Sequence, residues 1–188
     1  EPQRALDGLL ALLDIAPDTH ELLGTLAAEQ ATAMLILSVL GASEALGAHL
    51  LRHPAHWREL VGEEQAVTRP TAAAMRAGLV AAVRGKDPVA GADALRVEYR
   101  RQLLRLAARD LADDLALDDA AAELSDLAAG TLEAALVLAR AKVGEASEGC
   151  RLAVVAMGKC GGHELNYVSD VDVLFIAQAV EGHSEQAA

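Results

Sequence analysis

Aromatic side chains are nearly missing from this sequence. Trp57, Tyr99, Tyr167 and Phe175 are the whole set, 2% of 188 residues. β-Sandwiches and barrels draw on aromatic and β-branched residues, so the shortage argues against an all-β fold. Cysteine is rarer still. Cys150 and Cys160 cannot supply a disulfide framework, and a reduced, cytoplasmic setting fits. Basic charge is also short: 16 Lys and Arg stand against 28 Asp and Glu, a net charge of −12. That speaks against binding nucleic acid or an anionic membrane through bulk charge. The longest apolar run, residues 31–40, contains Thr32 and Ser38 and is too short to cross a bilayer. There is no starting Met and no signal-peptide pattern, and a polar stretch over 181–188 follows directly on a β-like segment. Both ends suit a piece excised from a longer protein.

What is present is Ala and Leu. Hydrophobic residues make up 53%, far above the level that keeps a chain disordered, and their dominant types favour helix. Residues 1–148 read as helical almost throughout. Leu6, Leu9, Leu10 and Leu13 recur at three- and four-residue steps and predict one face of a first helix. Pro17 ends it, and Asp18 or Thr19 caps the next. Residues 27–40 predict a weakly charged helix, central in a bundle. Ser43 caps a short helix over 44–51, and His53-Pro54 opens another that carries Trp57 and Leu60. Residues 62–70 read as a polar loop and 71–83 as a helix. Residues 92–115 predict a long helix with Leu95, Tyr99, Leu103, Leu106 and Leu111 at helical spacing. Asp118 and Asp119 mark the start of a last helix ending near Val143, where negative charge suits the dipole.

The character changes at Cys150. Residues 152–157 form a short apolar run with β-branched members, the pattern of a buried strand. Residues 158–162 read as a glycine loop, 163–167 as a single helical turn, and 170–176 as a second strand. The expected fold is mainly α: a helical bundle or array over 1–148, then the first strands of an α/β domain over 149–188. Two strands alone do not make a stable domain, so the sheet is expected to continue beyond Ala188.

Asp170 and Asp172 stand two apart in this second strand. Alternation places both carboxylates on one side and turns Val171, Val173 and Phe175 toward apolar packing. Paired carboxylates repel unless a cation lies between them. Mg²⁺ suits the place, since it takes one or two carboxylates and completes its shell with phosphate and water. Two such ions can clamp the attacking and leaving oxygens of a phosphoryl displacement. Upstream, Gly158, Gly161 and Gly162 let backbone amides approach a phosphate, Lys159 adds a point charge, and Ser169 offers a hydroxyl donor. The spacing is neither a Walker loop nor G-x-G-x-x-G.

The stretch from Met157 through Gly-Lys-Cys-Gly-Gly-His-Glu-Leu-Asn-Tyr-Val-Ser-Asp-Val-Asp-Val-Leu to Phe175 resembles the nucleotidyltransferase motif of the glutamine synthetase adenylyltransferase/adenylyl-removing enzyme family. The helical part, at Leu40-Gly-Ala-Ser43, at Leu50-Leu-Arg-His-Pro54 and over residues 99–111, is similar to that family's helices too. The resemblance implies a polymerase-β-like nucleotidyltransferase fold from residue 149 and Mg²⁺ as cofactor. It implies Asp170 and Asp172 as two of three metal-binding acids, the third lying past Ala188, so that the isolated fragment has little or no activity. The family carries an adenylyl-removing copy and an adenylyl-attaching copy. The wording over 164–170 is similar to the removing copy, which releases ADP from adenylylated glutamine synthetase by phosphorolysis. The implied partners are glutamine synthetase, phosphate, ADP or ATP, and a nitrogen-signalling regulator. Two alternatives stay open: an attaching copy that uses ATP, and a helical docking module for glutamine synthetase or a signalling protein.

Other residues carry less. Arg96, Arg100, Arg101, Arg105 and Arg109 form a basic stripe, read as ion pairs with neighbours such as Glu98, Asp110 and Asp113 in preference to a phosphate contact. Cys160 and His163 lack the second pair a zinc site needs. Glu164 is read as a catalytic helper or as a partner of the glycine-loop amides. Asn166 is read as holding its turn. His20, His49, His53 and His56 read as scattered, with no support for a hydrolase triad.

Overall fold

The computed structural model describes residues 1–61 and 69–180. The polar loop expected over 62–70 falls mainly outside them. In chain order the helices are α1 (Pro2–Ile15), α2 (Thr19–Ala28), α3 (Gln30–Ala42), α4 (Glu44–Arg52), α5 (Ala72–Val83), α6 (Pro88–Leu111) and α7 (Leu117–Val143), with 3₁₀ helices over Pro54–Leu60 and Gly144–Gly149. Strands β1 (Cys150–Ala156) and β2 (Val173–Ala179) flank a helical turn, Gly158–Gly161. The mainly helical fold with strands at its C-terminal side matches the composition. Two compact units emerge: Glu1–Arg69 with Arg100–Ala116, and Pro70–Tyr99 with Leu117–Ala188. They do not divide where the helices give way to strands.

The first unit is built on leucine. Leu12, Leu22, Ile36, Leu50, Trp57 and Leu104 are all but fully buried in its core. Along α1 the inward line is Ala5, Leu9, Leu12, Leu13 and Ala16, while Leu6 and Leu10 are about half exposed. The leucines are so dense that two stripes fit the helical period, and packing against α2, α3 and α4 selects one. The helix expected over 27–40 is instead two, bent by 113° at Glu29. Glu29 takes a non-helical backbone, and its carboxylate accepts from the Thr32 hydroxyl at 2.8 Å. That pairing stabilises a helix start inside the apolar run. Ser43 caps α4 as expected, its hydroxyl oxygen accepting from the Leu46 amide at 3.3 Å. Among the described residues no single helix is long and apolar enough to cross a membrane.

The histidines are not scattered. His49, on α4, turns inward, and its Nε2 lies 3.0 Å from His56 Nδ1. His53 completes a cluster with ring centroids 5.0–5.4 Å apart. Helix α4 ends at Arg52 and the 3₁₀ helix starts at Pro54, so a sharp corner brings residues 49, 53 and 56 together.

In the second unit α5 and α7 pack at very short range. A Cβ at Gly130 would lie 2.9 Å from Leu79 Cδ1 and 3.2 Å from Arg76 Cα. Arg76 and Glu133 close the contact at 3.2 Å. β1 and β2 pair antiparallel, with Val154 opposite Phe175 and Ala156 opposite Val173. β1 begins two residues earlier than expected and is alternately half-buried and exposed, not buried on both faces. Only one face looks toward α7, across a cleft of about 440 Å³ lined by Leu132, Leu136, Val137, Arg140, Val154 and Ala156.

Burial first, then the nearby charges of His56, His53, Arg100 and Arg52, push the His49 pKa from 6.5 down to about 4. Between those values the unfolded chain takes up a proton that the folded one refuses. Stability is therefore complete above pH 6.5 and falls as the pH drops toward 4. Urea unfolding should show a loss of about 2 kcal/mol from this site between about pH 7 and pH 5. His49→Gln should remove most of that slope; an unchanged slope would refute the assignment.

Candidate functional site

β1 ends because Gly158 turns left-handed, with φ +53°. The last ladder bond runs from the Met157 amide to the Asp172 carbonyl at 2.8 Å. Beyond it Asp170 and Val171 have no strand to pair with. The two acids therefore precede β2, which begins at Val173. This corrects the expectation of a strand over 170–176. The shift is made up at the far end, where the Val180 amide bonds the Gly149 carbonyl at 2.9 Å. Val171 and Phe175 are not packed away: they are 38% and 66% exposed. Among the described residues no element covers β2 as α7 faces β1.

The glycines divide their work. A Cβ on Gly158 would lie 2.8 Å from Asp172 Oδ2, so this carboxylate sits directly over bare backbone. A Cβ on Gly161 would lie 2.4 Å from the Ala156 carbonyl oxygen, so this glycine lets the turn fold back on the strand it leaves. The Gly161 and Gly162 amides donate to Met157 O and Gly158 O, both at 3.0 Å. They are spent inside the turn, contrary to the expectation that they approach phosphate. The turn lies at 158–161, not 163–167, because the positive φ of Gly158 starts it and its amides close at once.

Ser169 is half-buried, and its hydroxyl donates to Asn166 Oδ1 at 2.7 Å. The same oxygen accepts the Val168 amide at 3.1 Å, so Asn166 holds its turn as expected. Ser169 thus braces the loop instead of offering a free donor. Asp170, Asp172 and Lys159 are exposed. Glu164 lies beside Gly162, its Cδ 3.7 Å from where a Cβ would stand, and its amide donates to Lys159 O at 2.7 Å. Cys160 is buried, and desolvation pushes its thiol pKa up.

Two further groups escape sequence reading. Leu165 is buried, and its amide meets Ser125 Oγ on α7 at 3.4 Å. His163, held at φ +57°, has Nδ1 3.9 Å from Asp126 Oδ1. The one hint in the sequence is a leucine inside a polar stretch. Two arginines of the stripe stand in ion pairs, Arg96 with Asp93 at 2.7 Å and Arg101 with Glu59 at 2.8 Å, and Arg109 is buried.

Pairing continues the strand alternation to Asp172 and Met157, which share a sheet face with Leu174 and Val155. The cleft against α7 opens on the other face. Among the described residues no three His, Cys, Asp or Glu are grouped to hold a metal ion. Asp172 sets its carboxylate over the bare backbone of Gly158, and Asp170, also exposed, stands two residues upstream. This donor set fits Mg²⁺, whose remaining positions go to phosphate and water.

The family described as glutamate-ammonia ligase adenylyltransferase matches residues 33–188. The bifunctional glutamine synthetase adenylyltransferase/adenylyl-removing enzyme of Streptomyces coelicolor is 50% identical over 184 residues, covering 96% of this chain and 18% of the relative. The protein of that name from Mycobacterium tuberculosis is 41% identical over 194 residues, 98% of this chain and 19% of the relative. That from Cutibacterium acnes is 40% identical over 188 residues, 95% and 19%. The chain thus spans less than a fifth of the length of these relatives.

The glycine contacts rank two substitutions. Gly161→Ala drives a methyl into the Ala156 carbonyl and should cost about 1–3 kcal/mol in urea unfolding. Gly162→Ala, with 3.4 Å to Gly158 O, should cost less than about 1 kcal/mol. Equal costs would show that the turn does not fold back on β1 in this way.

Proposed function

The chain belongs to the glutamate-ammonia ligase adenylyltransferase family, and from that premise we propose that it carries part of a site that removes AMP from adenylylated glutamine synthetase. The observation that carries this reading is the Asp172 carboxylate seated over Gly158 with Asp170 two residues upstream. The direction of transfer rests on residues 164–170, whose wording resembles the removing copy. Asp170 and Asp172 would hold Mg²⁺, which when bound would neutralise charge on the phosphate oxygens. Gly158 keeps the space over the Asp172 carboxylate free of a side chain. The Gly161 and Gly162 amides being engaged, phosphate recognition falls to Lys159 and the backbone of Gly158. Ser169 acts through Asn166 by bracing the loop.

An oxygen of inorganic phosphate attacks the phosphorus of the adenylyl group. The new P–O bond makes ADP, the bond to the tyrosine oxygen breaks, and that oxygen takes up the proton that the attacking hydrogen phosphate gives up. The chain's part is positioning and charge complementarity. The partners in this reading are adenylylated glutamine synthetase, phosphate, ADP or ATP, and a nitrogen-signalling regulator, in the cytoplasm.

Asp170→Asn combined with Asp172→Asn, in a full-length family member that carries this chain, tests the proposal. Phosphate-dependent AMP release should fall by about 100-fold or more, while ATP-dependent attachment stays within about twofold. Loss of attachment alone would assign the site to the opposite direction. Retention of both activities would remove the acids from the chemistry.

A further inference from the structure

From Gly161 to Val180 Leu165 alone is buried. Besides the sheet ladder at one end, the segment bearing both acids is fixed to the rest of its unit through this buried side chain in its middle. Where Leu165 enters, its amide meets Ser125 Oγ at 3.4 Å in a buried setting. The Ser125 hydroxyl hydrogen is already committed to Ala121 O, one turn back on α7, at 2.9 Å. The oxygen is therefore left as an acceptor, which is what a buried amide needs. Ser125 itself is 2% exposed. On the next residue of α7, Asp126 faces His163, whose left-handed backbone turns the chain toward Leu165. From Leu165 the path to the acids is short. Asn166 closes its turn on the Val168 amide and the Ser169 hydroxyl, and Asp170 follows.

We propose that Ser125 is a positioning residue: through the Leu165 amide, α7 sets where Asp170 and Asp172 stand. The inference rests on the reading of those acids as the site of AMP removal. It goes beyond that reading by making the long helix, and not only the sheet, the reference frame of the site. Asp126 plays the lesser part, restraining His163.

The test uses the full-length family member. In Ser125→Ala, amide hydrogen exchange over 163–169 should quicken about tenfold, because a buried amide loses its acceptor and the segment opens more often. AMP release should lose about five- to tenfold in kcat, with KM for phosphate within about twofold. Ser125→Thr, which restores the oxygen, should recover both. Asp126→Asn keeps the helix intact should Ser125→Ala fail to fold, and should quicken exchange at 163–165 more weakly. Unchanged exchange in the folded variants would overturn the anchor. Quickened exchange with unchanged kcat would overturn its positioning role. If instead the Asp170→Asn, Asp172→Asn protein keeps its AMP release, the proposed function fails while the exchange result stands on its own.

Discussion

The candidate site depends on the backbone of Gly158. A left-handed residue there stops β1, so the ladder ends with the Met157–Asp172 bond and Asp170 is released from strand pairing. The missing side chain leaves the space that the Asp172 carboxylate occupies. One backbone choice thus terminates the sheet, starts the helical turn and seats an acid at the corner between them. Gly161 completes the corner by letting the turn lie on the Ala156 carbonyl. A larger residue at either position would have to push the turn away from the strand, and the acid would lose its seat.

Helix α7 gives the second unit its long reference element. Gly130 brings α5 close, and Ser125 and Leu165 tie the loop to its flank. The sheet contributes two faces of different character, one toward the cleft beside α7 and one carrying Asp172. The first unit is stabilised differently, by a leucine-rich core around Trp57, with a histidine cluster that tolerates burial because His49 stays neutral. Neither unit draws its core from the aromatic residues that most folds use at their centre, apart from Trp57. Leucine and alanine fill the space at helical spacing.

Much of this was legible in the residues. Ser43 caps its helix where its side chain announces it, its oxygen accepting the amide three residues on, whereas Thr71, read as the first residue of its helix, proves to be that helix's cap. Asn166 holds its turn for the same local reason. The resemblance around 157–175 led to the family, and Asp172 does meet Gly158 at the end of β1. Less legible were places where distant residues choose between equally good local patterns. Leu6 and Leu10 fit the helical period as well as Leu9 and Leu13, and packing against α2, α3 and α4 decides between them. The bend at Glu29 lies inside an apolar run that reads as continuous. The bounds of β2 depend on where its partner strand stops, which no property of residues 170–176 reveals. His49, His53 and His56 are brought together by a corner, and Ser125 meets Leu165 across 40 residues.

Helical character, the Ser43 cap, the order of strand, glycine turn and paired acids, and the family could all be read from the residues. Those follow from short-range propensity, periodicity and a motif written in consecutive residues. The cap expected at Asp18 or Thr19, by contrast, is absent, and Thr19 donates back to Leu13 O and Ala16 O. Tertiary structure alone decided which leucines face inward, which glycine amides are already spent, and which helix anchors the acid-bearing loop. Each of these is a contest for space or for a hydrogen-bond partner between segments far apart in the chain, and its outcome exists only once they have packed.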